Sequence, residues 1–277
     1  MIGAMRFVPV ITLFAFLAQA AGAEPIDVDV ELALMVDASR SMGPRELRIQ
    51  RRGYAEALAS DEVVDAIVNG GIGAISVTYI EWGGSLFQRV ILPWTLIDSR
   101  DSAQRAARHL QDGFELSMKE LHDVPDHRRQ TSISGAILTG QRELERNRFE
   151  GLRKVIDISG NGPNNDGDPV TVARDIAVAA GLIINGLPLI TGDSPADPES
   201  ADLDLYFSEC VIGGLGAFVL PVQGWSGLTS AVRRKLMLEM AGNPDSTWQT
   251  EGIMGRRGRD GDCLIGEHFR DIRESRE

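Results

Sequence analysis

Short apolar runs alternate with longer amphipathic segments along most of this chain. Residues 30–36, 155–159, 182–187 and 217–222 are apolar runs with the length and composition of buried strands. Between them, residues 131–144 and several other segments carry apolar side chains at the 3.6-residue spacing of a helix. This alternation predicts the α/β class, with an open, mostly parallel, doubly wound sheet that is covered by helices on both faces.

One pair of predicted strands has the pattern of a hairpin. Residues 72–82 and 87–97 are rich in β-branched and aromatic side chains, and Gly83-Gly84-Ser85 separates them. Two strands joined by such a short turn pair antiparallel, so one of them is expected at an edge of the sheet. The polar residues 112–130 are expected to form an exposed connection.

The termini differ from the body of the chain. Residues 1–23 combine Arg6, an apolar core and the small residues Ala21-Gly22-Ala23, which is the pattern of a signal peptide and its cleavage site. The apolar core is too short for a membrane span. Residues 24–242 predict one domain, and residues 243–277 predict an irregular tail. The protein is therefore expected to be exported, to the periplasm or beyond.

The charge balance limits the classes of partner. The chain has 40 acidic and 28 basic residues and a formal net charge of −12. Nucleic acids and anionic membranes attract positive surfaces, so neither is an expected partner. Binding of cations or basic surfaces is compatible with this charge, although negative charge also serves solubility.

Cys210 and Cys263 are the two cysteines of the chain. In an exported protein they predict one disulfide, which would tie the tail to the domain. Closure of that loop would stabilise the fold by about 4 kcal/mol in the chain-entropy model. The alternative is two unrelated buried thiols. No accompanying histidine pattern indicates zinc.

The segment Asp37-Ala38-Ser39-Arg40-Ser41 lies where the first apolar run gives way to a predicted helix. Its carboxylate and two hydroxyl groups are hard oxygen donors of low total charge, which suit a Mg²⁺ or Mn²⁺ ion that keeps part of its water. The alternative is that the serines cap the helix and the aspartate only ends the strand.

Two further loops are expected near this segment. Thr131 opens a predicted helix, and Asn161 lies in a glycine-rich loop that follows the apolar run 155–159. In an open α/β sheet, ligands bind at the carboxyl ends of the strands, beside the point where the strand order reverses.

The three loops together resemble the metal-ion-dependent adhesion site of von Willebrand factor A domains. In that family an Asp-x-Ser-x-Ser loop, a threonine at the start of a later helix and an aspartate in a third loop surround one divalent cation. Asp37, Ser39 and Ser41 match the first loop, Thr131 matches the second, and Asn161 falls where the aspartate would be.

The resemblance extends from about residue 27 to about residue 241. Within the superfamily the chain is most similar to an exported bacterial group of unknown function, through its Val-Asp-Ala-Ser-Arg-Ser start, its Tyr79-Ile80-Glu81-Trp82 strand and its Asp-Ile-Ser-Gly loop. This resemblance implies a Rossmann-like von Willebrand A fold with one antiparallel edge strand.

Asn161 departs from the family pattern. An asparagine keeps an oxygen donor but lacks the negative charge, which weakens the attraction for a cation. Asp157 and Asp166 are close in sequence and offer compensating carboxylates, although Asp157 is expected to belong to the strand. A degenerate site without metal is the alternative.

The resemblance implies a binding module and not an enzyme. Asp37, Ser39, Ser41 and Thr131 would hold one Mg²⁺, Mn²⁺ or Ca²⁺ ion, Asn161 would orient a water, and the ion would accept a carboxylate from a protein partner.

Two rivals are a structural or assembly domain with a vestigial metal site and, more weakly, a hydrolase. A hydrolase needs a base near the metal or a nucleophile elbow, and neither motif is present. The histidines lack ligand spacing and are expected at the surface: His109, His122, His127 and His268.

Overall fold

A computed structural model describes residues 24–190, 202–241 and 262–274. The predicted signal peptide, residues 1–23, lies outside these described residues. Within them, no helix combines the length and the apolar character that crossing a membrane requires.

Strands and helices alternate along the described chain. The strands are β1 (Ile26–Asp37), β2 (Ile75–Trp82), β3 (Gln88–Ile97), β4 (Phe149–Gly160), β5 (Ile183–Ile190) and β6 (Val222–Gln223). The helices are α1 (Pro44–Leu58), α2 (Asp61–Val68), α3 (Arg100–Gln111), α4 (Phe114–His122), α5 (Ile133–Arg146), α6 (Val170–Ala179), α7 (Leu203–Tyr206), α8 (Leu228–Ala241) and α9 (Ile265–Glu274). A π-helical turn, Phe207–Val211, continues α7.

The strands form one sheet in the order β3-β2-β1-β4-β5-β6. β2 and β3 pair antiparallel, and the other neighbouring pairs are parallel. This confirms the predicted open, mostly parallel α/β sheet with one antiparallel edge strand. The chain builds outward from β1 on one side and then crosses to β4 on the other, so the strand order reverses between β1 and β4. The carboxyl ends of these two strands are where a ligand is expected.

Both faces of the central strand are buried. Val30, Leu32, Leu34 and Val36 of β1 belong to the core that α1, α3 and α8 complete. Ala33 and Met35 belong to the core on the opposite face, beneath α5 and α6. Burial on both faces explains the continuous apolar run that the sequence shows here.

The prediction for residues 112–130 was wrong in part, because α4 forms within them. Phe114 of α4 is buried against the core. Ser117 accepts a hydrogen bond from Arg51 at 2.6 Å, and Arg51 is also paired with the buried Glu81 at 2.6 Å. The helix is thus held by the buried Phe114 and Leu121 together with polar and charged contacts, and apolar periodicity does not report the latter.

The strand predicted over residues 217–222 is shorter than expected. β6 comprises only Val222 and Gln223, and Val219 makes a single bridge to Gly186. The main-chain N–H of Phe218 donates to the side chain of Asn185 at 2.9 Å, so it is not available for a strand ladder.

The predicted irregular tail also needs correction, because residues 265–274 form α9. The predicted disulfide is confirmed: Cys210 and Cys263 are bonded, with their Cα atoms 5.5 Å apart. Cys210 is fully buried in the π-helical turn. The disulfide therefore anchors the chain just before α9 to the body of the domain.

A cluster of charged side chains is buried between β4 and α8. Lys235 lies 3.0 Å from Asp157 and 3.2 Å from Glu239, and each of the three side chains is at most 1% exposed. Desolvation raises the pKa of Asp157 to about 6. The charge of Glu239 also raises this pKa, whereas the charge of Lys235 lowers it. Tyr54 of α1 also faces this carboxylate. The buried carboxylate therefore costs stability at neutral pH.

We predict that Asp157→Asn raises the melting temperature at neutral pH and has little effect near pH 4. The pKa of Asp157 is about 6 in the folded state and 3.8 in the unfolded state. The stability that this carboxyl contributes to the fold is therefore fully present below the unfolded pKa and is lost as the pH rises through 6. The amide removes this loss, which is on the order of 1–3 kcal/mol, while Lys235 keeps Glu239 as its partner.

Thermal unfolding of both proteins across this pH range at constant ionic strength measures the effect. Asp123→Asn, at an exposed position, controls for the loss of one charge. A difference between Asp157→Asn and wild type that does not grow with pH would contradict the expectation.

Candidate functional site

Asp37 ends β1 at the point where the strand order reverses, and its side chain is fully buried. Oδ1 accepts a hydrogen bond from the main-chain N–H of Ser39 at 2.7 Å, and Oδ2 accepts one from the N–H of Asn161 at 3.2 Å. Its main-chain oxygen accepts from Gln50 of α1 at 2.9 Å. The carboxylate is thus fixed between its own loop and the loop that follows β4.

The charge of Asp37 is not neutralised by an ion pair. Burial raises the pKa of Asp37, while hydrogen bonds from Ser39 and Asn161 and the charge of Arg129 oppose that rise. The guanidinium of Arg129 donates to three carbonyl oxygens of residues 38–42, at 3.1 to 3.2 Å, and so holds the loop closed. No ion pair to Asp37 occurs among the described residues.

The other fully buried carboxylates have cationic partners. Glu31 lies 3.3 Å from Lys154, and Glu81 lies 2.6 Å from Arg51. Asp157 and Glu239 share Lys235, as described above. Because an unpaired buried charge is costly, Asp37 stands apart as the carboxylate for which a bound cation would be most stabilising.

The hydroxyl groups of the loop lie beside this carboxylate. Ser39 Oγ is 3.1 Å from Ser41 Oγ, and Ser41 Oγ donates to Asn161 Oδ1 at 2.8 Å. Ser39 is buried, Ser41 is exposed and Asn161 is partly exposed, so the cluster reaches from the protein interior to the solvent. One carboxylate, two hydroxyls and an amide oxygen are all hard donors that fit Mg²⁺, Mn²⁺ or Ca²⁺.

Thr131 lies two residues before the first residue of α5 and is buried. Its N–H donates to Asn165 Oδ1 at 2.9 Å, and the N–H of Asn165 returns a bond to its carbonyl oxygen at 2.8 Å. In the described structure no hydrogen bond joins its hydroxyl to Asp37. Four of the five predicted residues are thus linked directly, and Thr131 is linked through the loop after β4.

Neither carboxylate that is close in sequence compensates for Asn161. Asp166 accepts a hydrogen bond from the N–H of Ser85 at 2.6 Å and so holds the β2–β3 turn. Asp157 belongs to the buried cluster with Lys235. The candidate site therefore has a single carboxylate, and the described residues contain no group of three or more His, Cys, Asp or Glu side chains that could hold a metal.

The sequence did not indicate a network of hydrogen bonds that supports this site from α5, α7 and α9. Asn164, fully buried in the loop after β4, donates through Nδ2 to Glu267 of α9 at 2.8 Å. Its N–H donates to the hydroxyl of Tyr206 at 3.1 Å, and its Oδ1 accepts from the N–H of Ser134 at 3.0 Å. One asparagine thus joins α5, α7 and α9 to the loop that carries Asn161.

Two further contacts show how closely α9 approaches the loop after β4. Arg270 donates to the carbonyl oxygen of Asn165 at 2.9 Å. A Cβ atom at Gly266 would overlap the carbonyl oxygen of Asn164, so only glycine permits this contact. The isolated glycine in a segment that otherwise has a helical period was the one local signal of this contact.

The histidines lie away from the cluster. His109, His122, His127 and His268 are all exposed, as predicted. His109 contacts the carbonyl oxygen of Ile91, and His268 contacts Asp262, each at 3.0 Å.

Comparison with known proteins identifies the fold. The family model described as "Protein of unknown function (DUF1194)" matches residues 27–244. No curated protein matches the chain. The structure of proximal thread matrix protein 1 from the mussel byssus, with a zinc-occupied MIDAS motif, is similar with a TM-score of 0.50 and 18% identity, over 79% of this chain and 49% of that one.

The von Willebrand domain of the type V pili tip protein Mfa5 from Porphyromonas gingivalis is similar with a TM-score of 0.50 and 8% identity, over 79% of this chain and 97% of that one. The chain spans about half the length of the mussel protein. At these identities the similarities establish the fold, and the expected von Willebrand factor A fold is confirmed.

We predict that Glu267→Ala loosens the loop that carries Asn161. Removal of the carboxylate leaves one of the two N–H donors of the buried Asn164 amide unpaired, while the other keeps the carbonyl oxygen of Asp168 at 3.1 Å; an unpaired buried donor costs about 1–3 kcal/mol. Amide hydrogen exchange of residues 160–168 should therefore become roughly tenfold faster or more. Glu267→Gln keeps the acceptor oxygen and serves as the matched control. Unchanged exchange in Glu267→Ala would show that the hydrogen bond from Asn164 to Glu267 does not support the loop.

Proposed function

We propose that this chain, which belongs to the family described as "Protein of unknown function (DUF1194)", is an exported binding module that engages an anionic partner through a divalent cation. Asp37 carries this proposal, because its buried carboxylate lies beside two hydroxyl groups and an amide oxygen and has no ion-pair partner among the described residues. A cation at this point would neutralise a charge that the fold otherwise leaves unpaired.

Each residue of the cluster has a proposed role. Asp37 supplies the negative charge, Ser39 and Ser41 supply hydroxyl oxygens, and Asn161 orients a water on the solvent side. Thr131 approaches the ion from the start of α5, directly or through water. Mg²⁺ is the proposed ion, with Mn²⁺ and Ca²⁺ as substitutes, since all three prefer oxygen donors. The zinc-occupied MIDAS motif of the mussel protein is a precedent for a divalent ion on this fold.

The proposed partner is a protein that presents a carboxylate. One protein carboxylate leaves a bound divalent ion with residual positive charge, so the ion can accept a further anionic ligand. Arg40, exposed between the two serines, adds positive charge beside the site. Leu86, on the neighbouring β2–β3 turn, is 75% exposed and offers an apolar contact. An acidic side chain next to an apolar one would match this surface.

Export is part of the same proposal. Residues 1–23 have the pattern of a signal peptide. The disulfide between Cys210 and Cys263 supports an oxidising compartment, because cytosolic conditions keep thiols reduced.

An assembly domain with a vestigial site is the second candidate, and the bond from Ser41 to Asn161 favours it. This hydrogen bond satisfies the two side chains without any ion, so the cluster would hold two loops together by itself. A hydrolase is disfavoured, since no histidine or second carboxylate is hydrogen-bonded to the cluster in the described part of the chain.

We predict that millimolar Mg²⁺ or Mn²⁺ raises the melting temperature of the wild type. An ion that binds only the folded state stabilises it by mass action, by about 2.7 kcal/mol at a hundred times the dissociation constant. Asp37→Asn should abolish the shift, because it keeps the shape of the side chain and one of its two acceptor oxygens but removes the charge. Asp123→Asn controls for the loss of one exposed charge. A wild type that responds to neither Mg²⁺, Mn²⁺ nor Ca²⁺ would favour the vestigial site.

We also predict that Asn161→Asp binds Mg²⁺ more tightly than the wild type, by a factor of roughly ten. The substitution adds a carboxylate to an oxygen-lined site and changes the side-chain size little. Isothermal titration of the two proteins measures the difference. If Asn161→Asp binds no ion, the assignment of this loop to the site is wrong.

The partner can be sought by crosslinked pull-down of the exported protein. Proteins captured in Mg²⁺ but lost both in chelator and in Asp37→Asn are the expected class. Capture that is unaffected by either change would argue against metal-mediated binding.

A further inference from the structure

Asn161 is followed directly by Gly162. The same pair occurs at Asn69-Gly70 and Asn185-Gly186. An asparagine before a glycine is chemically labile, because a glycine without a Cβ lets its main-chain nitrogen approach the preceding side-chain amide carbon. The three pairs can therefore be compared within one molecule.

We propose that Asn161 is a deamidation site, and that its conversion supplies the carboxylate that the metal site lacks. The main-chain nitrogen of Gly162 attacks Cγ of Asn161 and forms the new N–Cγ bond while the Cγ–Nδ2 bond breaks. The N–H proton passes through a solvent base to the departing Nδ2, which leaves as ammonia. Water then opens the cyclic imide at either carbonyl, which gives aspartate or isoaspartate without any redox partner.

The attacking nitrogen is occupied at two of the three pairs. The N–H of Gly70 donates to the carbonyl oxygen of Ile67 at 3.0 Å. The N–H of Gly186 donates to the carbonyl oxygen of Phe218, also at 3.0 Å. In the described residues, the N–H of Gly162 makes no hydrogen bond. Among the bonds of the described residues, none has to break at Asn161 before the nucleophile reacts, whereas one has to break at each of the other two pairs.

The side-chain amides of the three pairs also favour reaction at Asn161. Asn161 is partly exposed, and its Oδ1 accepts a hydrogen bond from Ser41 Oγ at 2.8 Å, which stabilises the negative charge that develops on this oxygen during attack. Asn185 is 1% exposed within β5, and its Nδ2 is bonded to Glu239 at 2.6 Å. The Nδ2 of Asn69 is bonded to the helix end before it at 2.7 Å.

The product changes the electrostatics of the site, and this step rests on the proposed function. An aspartate at 161 places a second carboxylate beside Asp37, whose own charge has no ion-pair partner in the described structure. Two neighbouring carboxylates repel each other, and a divalent cation between them removes the repulsion. The freshly made protein is therefore the weak-binding form, and its aspartate product is the tight-binding form.

Peptide mapping by mass spectrometry during incubation in warm, mildly alkaline buffer tests the chemical step. We expect Asn161 to convert roughly tenfold faster than Asn69 or Asn185, which is the factor implied by one hydrogen bond that must first open. Gly162→Ala is the matched variant, because a Cβ there would meet no atom within 4 Å and would hinder only ring closure. Conversion of Asn161 no faster than the other two, or equal rates in Gly162→Ala, would overturn the proposal.

Titration with Mg²⁺ tests the consequence separately. The aspartate form, isolated from aged wild type by ion exchange, should match Asn161→Asp and bind roughly tenfold tighter than fresh protein. If Asn161→Asp binds tightly while the aged wild type keeps its amide, the deamidation proposal fails and the proposed function stands. If Asn161→Asp binds no Mg²⁺, the proposed metal site fails, whatever the mass map shows.

Discussion

The buried carboxylate of Asp37 is the constraint around which the carboxyl edge of the sheet is arranged. It lies at the end of β1, where the strand order reverses, and it is fully buried. Two main-chain N–H groups, from Ser39 and Asn161, are bonded to it. Arg129 fixes the surrounding loop through carbonyl oxygens, and no ion pair between it and the carboxylate occurs among the described residues.

The other buried charges of the described structure serve a different purpose. Arg51 and Glu81 join α4 to the sheet, and Lys235 joins α8 to β4. Each of these charges has a partner of opposite sign within the protein, although for Asp157 the attraction of Lys235 does not fully offset desolvation. The buried charges that connect elements are paired within the protein. Asp37, at the point where the strand order reverses, has no ion-pair partner among the described residues.

The sequence was informative wherever the determinant was local. A strand buried on both faces is a continuous apolar run, and the Asp37 loop places its donors within five residues, so both were predictable. The positions of α4 and α9 were not, because Ser117 and Glu267 help to fix them through polar contacts with partners that are far away in sequence. The side chain of Thr131 was expected beside the other ligands, yet its contacts run through Asn165, since the main chain and not the hydroxyl joins the two loops.

Asn161 explains how such a site can stay closed without an ion. A carboxylate in its place would lie close to Asp37, and two desolvated like charges would repel each other. The amide instead accepts a hydrogen bond from Ser41 at 2.8 Å, while its loop is held from behind by Asn164 and α9. In the proposed metal site, the amide would thus favour an ion-free state at the expense of cation affinity. Because Asn164 and α9 hold the loop without an ion, we expect a change of charge at residue 161 to alter binding at the proposed site more than it alters the position of the loop.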